Sequence, residues 1–498
     1  MLRFDYYLYF AICIYTFLYI IIISIDDKGE GVLKSIIYTK NVIIDAILPD
    51  NYQQTDAYIV STYYYPKSKS LGDNAVALIL LMNRNTMRDV TKYQMRIVGS
   101  NGSMSVTAQP ELIKESYAVC AYITIVANVN LLPNLQKLEI ESNNLKMEIP
   151  FKQPRQLAPK PVIICVAPQF GAEQWQLFVS HAHIANFYGG HIHLYVLSMV
   201  DPYFQLVKEY EKQGYATIDY WIRMKYQNSY QPNAIEPNSN AEWRNQAGAQ
   251  TDCLYQYKEV ASYITFFDLD DILIPRGFGS YLEEFNTYSY MYPRIQAFHY
   301  EKKGYIFHRD KQYTDMDLSK LFGHTKYEVV MDAAKVVANP KYLKSMWIHI
   351  TQNMPRDKKM WIEHNFINHL KIPKDDGSTV YPYTNMPNLK MNQTHLYQIQ
   401  QSLIEFRNST RILEISGDLP NDDFYYKQIV ECYTKNYYSL GEWRKYICPN
   451  VEMCRFEQRK NLKCIHSDAI YKSGPSMFPI QFHYHVDPFW SYDIGCQQ

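Results

Sequence analysis

The chain has 498 residues, 47% of them hydrophobic and 20% charged, which is too long for one ordinary domain and too apolar for wholesale disorder. Fifty basic side chains balance fifty acidic ones. A neutral chain of this kind is not a strongly basic nucleic-acid binder, and no nucleic-acid partner is expected.

The first predicted element is an anchor. "YYLYFAICIYTFLYIIIISI", Tyr6 to Ile25, runs for 20 residues without a charge. A helix of that length spans about 30 Å, the thickness of a bilayer core. It is longer than the roughly 7–15 apolar residues of a secretory signal, and no small-residue cleavage pattern follows it. Residues 1–28 therefore read as a short tip and an uncleaved membrane helix; a cleaved signal peptide is the competing reading. Tyr6, Tyr7 and Tyr9 suit the interfacial belt. The flanking charges are few, Arg3 before the run and Asp26, Asp27 and Lys28 after it, and their balance favours a cytoplasmic N-terminus.

Residues 50–150 have a different texture. "AYIVSTYYYP", "NAVALILLMN", "KYQMRIVGS", "YAVCAYITIVANV" and "LEIESNNLKMEI" are short β-rich runs separated by Gly, Asn, Asp and Pro. They predict a small all-β, sandwich-like domain, serving as a stem or as a carbohydrate-binding module. "FKQPRQLAPKP", Phe151 to Pro161, is a linker by its prolines.

From there the pattern alternates. "VIICVA" is a continuous apolar run, as expected of a strand covered on both faces. "GAEQWQLFVSHAHIANFYG" has a helical period, "HIHLYVLS" is a strand, and "PYFQLVKEYEKQG" is a helix ended by Gly214. "YATIDYW" is a third strand, "NAEWRNQAGAQTDCLYQYKEVA" a third helix and "YITFF" a fourth strand. Such alternation predicts a mostly parallel, doubly wound α/β sheet. Ligands of these sheets sit beyond the carboxyl ends of the strands.

The fourth strand ends in three acids. In "YITFFDLDDILIPRG", Asp268, Asp270 and Asp271 follow a buried run directly. Like charges so close repel by about 4 kcal/mol per pair at 4 Å and an effective dielectric of 20, which a bound cation relieves. On an extended chain Asp268 and Asp270 project to one side, where their oxygens suit Mg or Mn. Simple turn capping is the bland alternative. A haloacid-dehalogenase-type phosphatase is the chemical one, with Asp268 as nucleophile. Against it, Ile272 stands where that motif has Thr or Val, and three β/α units precede the acids.

Nine cysteines occur. Cys13 lies in the anchor, and the other eight are Cys120, Cys165, Cys253, Cys432, Cys448, Cys454, Cys464 and Cys496. An even number outside the membrane fits disulfides in a lumenal compartment, with the pairing unread; the long spacings argue against zinc. Three sequons, at Asn101, Asn392 and Asn408, permit glycosylation. The pairs His181/His183, His191/His193 and His483/His485 read as structural rather than metal-binding.

Four stretches in order, "PVIICVAPQFGAEQWQLFVSHAHIANFYGGHIHLYVLS", "LVKEYEKQGYATIDYW", "RNQAGAQTDCLYQYKEVASYITFFDLDDILIP" and "KVVANPKYLKSMWIHI", resemble glycosyltransferase family 92. The resemblance runs from about Lys160 to Cys464. It implies a GT-A-like glycosyltransferase domain at 160–425, followed by a Cys-rich C-terminal region at 426–498. It also implies a single-pass type II protein of the Golgi or ER membrane with its catalytic domain in the lumen. The implied activity is an inverting transfer of a hexose, typically galactose, from a UDP-sugar to a glycan acceptor. Asp268 and Asp270 match the family's metal-binding acids, with Mn as the expected ion and Mg as the alternative. His349, in "SMWIHI", matches the histidine after the family's K-x-x-x-x-P segment and is the expected third ligand. Arg244, Asp252 and Lys258 match the preceding helix and, with Asp271, are expected at the nucleotide sugar.

The chain departs from the family after Ala297. "AFHYEKKGYIFH" stands where the family has a tryptophan and a Gly-rich turn, and His395 in "QTHLYQ" is the nearest match to its H-Y-R. An inverting transfer needs a general base at the acceptor hydroxyl. Glu301 is the candidate, by its place between the acids and His349. These departures keep a second reading open: a non-catalytic lumenal glycan-binding or scaffold protein on the same fold.

Overall fold

The computed structural model describes residues 55–84, 95–115, 119–142, 144–225, 237–307, 309–323, 326–372, 383–385, 391–450, 452, 454–477 and 480–496. The chain divides into two units, Met1–Gln53 and Gln54–Gln498. The expected anchor falls in the first and lies outside the described residues. Among the described residues no helix is long and apolar enough to cross a membrane.

The second unit opens with eight strands: β1 (Thr55–Tyr65), β2 (Ala75–Asn83), β3 (Arg96–Ser100), β4 (Ser105–Ala108), β5 (Glu111–Glu115), β6 (Tyr122–Asn130), β7 (Lys137–Ser142) and β8 (Leu145–Glu148). β4-β3-β7-β8 form one antiparallel sheet, and β1, β2, β6 and β5 are neighbours in a larger one. β2 explains the arrangement. All nine of its residues are buried. Val76, Leu78, Leu80 and Met82 point to one face and cluster with Ile97, Leu138 and Ile140 of the small sheet. Ala75, Ala77 and Ile79 point to the other and cluster with Ile163, Cys165 and Leu254. A strand buried at every position must be covered on both faces, and the second cover is the α/β core.

That core contains β9 (Val162–Gln169), α1 (Trp175–Phe187), β10 (Gly190–Val196), α2 (Asp201–Lys212), β12 (Ala216–Tyr220), α3 (Gln246–Tyr257) and β13 (Tyr263–Phe267), with the short β11 (Ser198–Val200) before α2. The predicted alternation is thus present. After the acids come β14 (Asp271–Leu273), α4 (Tyr281–Met291), β15 (Ala297–Ile306), α5 (Leu318–Gly323), β16 (Lys326–Ala338), β17 (Lys359–Lys371) and β18 (Tyr383–Asn385). The strand order is β12-β10-β9-β13-β16-β15-β17-β14, with β18 on β16. β12, β10, β9 and β13 are parallel, but β13–β16, β16–β15 and β17–β14 are antiparallel. The sheet is therefore mixed rather than mostly parallel. β16 returns beside β15 as its antiparallel neighbour, from Ala297 opposite Ala338 to Tyr305 opposite Tyr327.

The chain ends with α6 (Gln393–Ser409), α7 (Ile412–Ile415), α8 (Phe424–Asn436) and the hairpin β19 (Lys463–Met477) and β20 (Ile480–Ile494). β20 pairs parallel to β1 and β19 pairs with β11, giving the order β11-β19-β20-β1-β2-β6-β5. The boundaries expected near 150 and 425 are thus crossed by one continuous sheet. Four disulfides, Cys120–Cys448, Cys165–Cys253, Cys432–Cys454 and Cys464–Cys496, take up all eight cysteines and close the zinc reading.

Candidate functional site

β13 is buried at every position and ends at Phe267, so the next residues emerge at the carboxyl edge of the parallel half-sheet. They do not continue as a strand. Asp271 N–H donates to the Asp268 carbonyl (3.1 Å), and Asp268 N–H donates to Asp271 Oδ2 (3.3 Å). This tight turn replaces the alternation that would set Asp268 and Asp270 side by side. Asp268 and Asp271 instead converge on Lys335, whose Nζ lies 2.7 Å from Asp268 Oδ2 and 3.6 Å from Asp271 Oδ2. Lys302 Nζ is 3.7 Å from Asp271 Oδ1. Asp270 turns toward His369, 3.6 Å away.

His369 arrives by strand register: Asp271 of β14 pairs directly with His369 of β17. Its Nδ1 is 2.8 Å from Asp271 Oδ1. The carboxylate accepts there, so Nδ1 carries the proton and Nε2 keeps its lone pair. Among the described residues Asp270, Asp271 and His369 are the group whose ligand atoms lie within 4.8 Å of one another. Two carboxylates and an imidazole suit a hard or borderline divalent ion. An Asp behind a histidine is the support that metal-binding histidines use. The residues present therefore fit a metal.

The electrostatics follow the burial. Asp271 has no solvent exposure, which works to raise its pKa, but Lys302, Lys335 and His369 hold it well below the usual carboxylate range. Burial also opposes ionisation of Asp268, and Lys335 overrides it, so its pKa is lowered. Asp270 is raised, by burial and by its two acidic neighbours, with His369 opposing. Burial works against protonation of His369, but Asp270 and Asp271 prevail and raise it.

His349 donates Nδ1–H to the Ala334 carbonyl (3.1 Å), which leaves its Nε2 as an acceptor. Burial, then Lys335 and Lys302, push its pKa down to about 3, while Asp268 and Asp271 pull the other way. It thus stands, neutral, within the electrostatic reach of the acids. Glu301 sits in the bulge between Tyr300 and Lys302, half-buried, and its charge is felt by Lys303.

The remaining expected residues lie on α3 or at its two ends. That helix begins later than its pattern predicts, because Trp243, Arg244 and Asn245 all have positive φ. Asn245 caps it, its side chain accepting from Gly248 N–H (3.2 Å). A Cβ at position 248 would collide with that same side chain, so the cap requires glycine there. Arg244 is buried, stacked on Phe170 (4.8 Å) and ion-paired with Glu452, which also holds Arg223. Asp252 accepts from Ser61 (2.5 Å), Tyr63 (2.7 Å), Tyr195 (2.5 Å) and Gln256 (3.0 Å). Arg244, Asn245 and Asp252 line an open pocket with Asp219, Trp221 and Tyr195. The next residue, Gln246, donates to Asp268 Oδ1 at 2.7 Å. Cavity and acids are therefore joined through one turn. Lys258 is elsewhere: its Nζ donates to the carbonyls of Pro340 (2.9 Å) and Leu343 (2.5 Å), clamping the turn ahead of His349.

Sequence reasoning missed His369, Lys335, Lys302, Gln246 and Glu452. A lone lysine in the apolar run "DAAKVVA" was the one local signal, for Lys335. Tyr426 of α8 also feels Asp270, and burial pushes its hydroxyl up to about 12. The paired histidines are structural, as expected: His183 bonds Ser402 and Tyr210, and His483 bonds Asp56 and Ser473. His395 packs on Phe187 and bonds Tyr188.

Residues 160–407 match the family described as Glycosyltransferase family 92. The chain is 40% identical over 455 residues to Glycosyltransferase family 92 protein ZK381.2 of Caenorhabditis elegans, covering 89% of this chain and 90% of that one. Identity to protein F55C10.4 of the same organism is 38% over 474 residues, covering 90% and 91%. The chain belongs to glycosyltransferase family 92. Membership favours glycosyl transfer over the phosphatase alternative for this family 92 chain. Among solved structures, S. aureus TarS 1–349 in complex with UDP-GlcNAc matches with a TM-score of 0.25 and 13% identity, covering 50% of this chain and 73% of that one.

Proposed function

We propose that this family 92 glycosyltransferase moves a hexose, galactose first among the candidates, from a UDP-sugar to a glycan acceptor with inversion. The observation that carries the reading is the single turn Arg244–Gln246, which lines the cavity with two residues and holds Asp268 with the third. The cavity, with Trp221 and Tyr195 for stacking and Arg244 for charge, receives the nucleotide. The diphosphate then points along the turn to the acids. Asp270 and His369, with Asp271 behind them, are the residues that would hold a divalent ion, Mn before Mg. Such an ion, when bound, supplies charge stabilisation for a departing UDP. His349 faces the same acids and is the further ligand candidate. Gln246 and Lys335 hold Asp268 in place, and Asp271 orients His369. Glu301 stays the candidate base at the acceptor hydroxyl. The same reading places the protein in the Golgi or ER membrane through residues 6–25, with the catalytic unit in the lumen.

The test is a donor screen on the purified protein with UDP-hexoses and a panel of glycan acceptors, repeated after chelation. Transfer from UDP-galactose that is lost on chelation supports the reading. A folded protein that binds glycan yet neither binds UDP nor transfers any hexose would favour the lectin or scaffold alternative.

A further inference from the structure

The three acids are answered by two lysines before any ligand arrives. Lys335 lies on β16 opposite Tyr300 of β15, and its side chain has no solvent exposure. Its ammonium sits 2.7 Å from Asp268 and 3.6 Å from Asp271. Lys302, 6% exposed at its side chain, stands 3.7 Å from the other oxygen of Asp271. With His369 neutral, as a metal-binding imidazole must be, three carboxylates against two ammoniums leave one uncompensated negative charge at the centre. That charge falls on Asp270, which faces His369 at 3.6 Å while the two lysines sit on Asp268 and Asp271.

A divalent ion entering beside Asp270 and His369 therefore meets the field of roughly one net negative charge, not three. Neither lysine can withdraw to make room, because both are enclosed and both neutralise a carboxylate that is itself buried or half-buried. The donor's diphosphate supplies the negative charge that the lysines cancel. We propose that Lys335, with Lys302, is a built-in counter-cation that makes divalent-ion binding conditional on the nucleotide diphosphate. Lys335 is a positioning residue in this scheme: it touches Asp268 and Asp271 and acts on the ion through them. The inference rests on the donor reading above. Coupling between two ligands is reciprocal, so the ion must tighten UDP by the same factor that UDP tightens the ion.

The experiment is calorimetric titration of the full-length protein with Mn²⁺ alone, UDP alone, and each in the presence of the other. The native protein is expected to bind Mn²⁺ weakly by itself and about tenfold or more tightly with UDP present, within the usual range of coupling. Lys335→Met is expected to tighten Mn²⁺ alone by a similar factor and to shrink the coupling. Lys335→Arg, which keeps the charge, is expected to retain it. The native titrations stand by themselves should Lys335→Met fail to fold. Mn²⁺ and UDP that both bind the native protein independently of each other would overturn this inference and leave the donor reading standing. Failure of the native protein to bind either in any combination would overturn the donor reading and this inference with it.

Discussion

The side-chain amide of Gln246 donates to Asp268 Oδ1 at 2.7 Å. One residue earlier Asn245, and before it Arg244, line the cavity at the edge of the parallel half-sheet. A helix start with three consecutive positive φ values thus ties the place for a nucleotide to the first acid of the cluster. The tie depends on the cap: Gly248 leaves room for Asn245, and Thr124 of β6 also donates to the same Asn245 oxygen (3.1 Å).

Gln246→Ala removes the tie and leaves the fold alone. Supports of this kind are worth roughly 10–100-fold in metal affinity or activity. The variant should lose transfer by about that factor while its unfolding midpoint stays near native. Gln246→Glu should be worse, since it sets a carboxylate beside Asp268. Steady-state kinetics with the donor and a thermal melt decide the matter together; an unchanged kcat/KM would contradict the role.

Asp271→Asn tests the charge balance as a matter of stability. Asp271 is fully enclosed and faces the enclosed ammoniums of Lys302 and Lys335. Breaking a buried pair from one side leaves charge without compensation, at a cost of about 3–5 kcal/mol. The variant should unfold at clearly lower denaturant than native protein. A loss below about 1 kcal/mol would show that the lysines find other partners.

Glu284 predicts a pH dependence. Its Oε1 accepts from Tyr300 OH and Asn365 Nδ2, each at 3.0 Å, and burial pushes its pKa up to about 7. An unfolded glutamate titrates near 4.3. Between those values the native state holds a proton that the unfolded state has lost, so this group makes stability fall as pH rises across the window, then level above 7. Glu284→Gln removes the titration. It should match native protein near pH 4 and exceed it by a few kcal/mol, about 3, at pH 8. Paired denaturation curves at the two pH values measure the difference; a constant offset would rule the mechanism out.

Cys165–Cys253 joins β9 to α3 across 88 residues. Cys165→Ala with Cys253→Ala should cost roughly 2–5 kcal/mol, since a long loop is released in the unfolded state. The melt of the double variant, compared with native protein under reducing and non-reducing conditions, checks this. Reductant should narrow the gap between the two.

Much of the framework was legible beforehand. The strand and helix alternation from Val162 to Phe267 appears as read, because hydrophobic periodicity is a property of neighbouring residues. The acids were found at the right edge for the same reason: a buried run that stops in three carboxylates marks a strand end. Where a local rule was carried too far, the structure differs. An i, i+2 argument assumes a strand, and the Asp268–Asp271 hydrogen bond makes a turn. The helix pattern starting near Asn240 is interrupted by the left-handed residues 243–245, whose conformation is held by contacts from Pro449, Asn450 and Glu452.

The sequence by itself determined that a β-rich segment precedes an α/β unit, that the cysteines other than Cys13 are even in number, and where the acids stand. Only the tertiary structure decided what meets them. His369 faces Asp271 through the register of β17 on β14, and Lys335 reaches Asp268 from an antiparallel strand 67 residues away. The C-terminal hairpin completes the sheet of β1, and Cys448 finds Cys120 over a separation of 328 residues. These are long-range pairings, set by which apolar faces cover one another. No window of neighbouring residues contains that information.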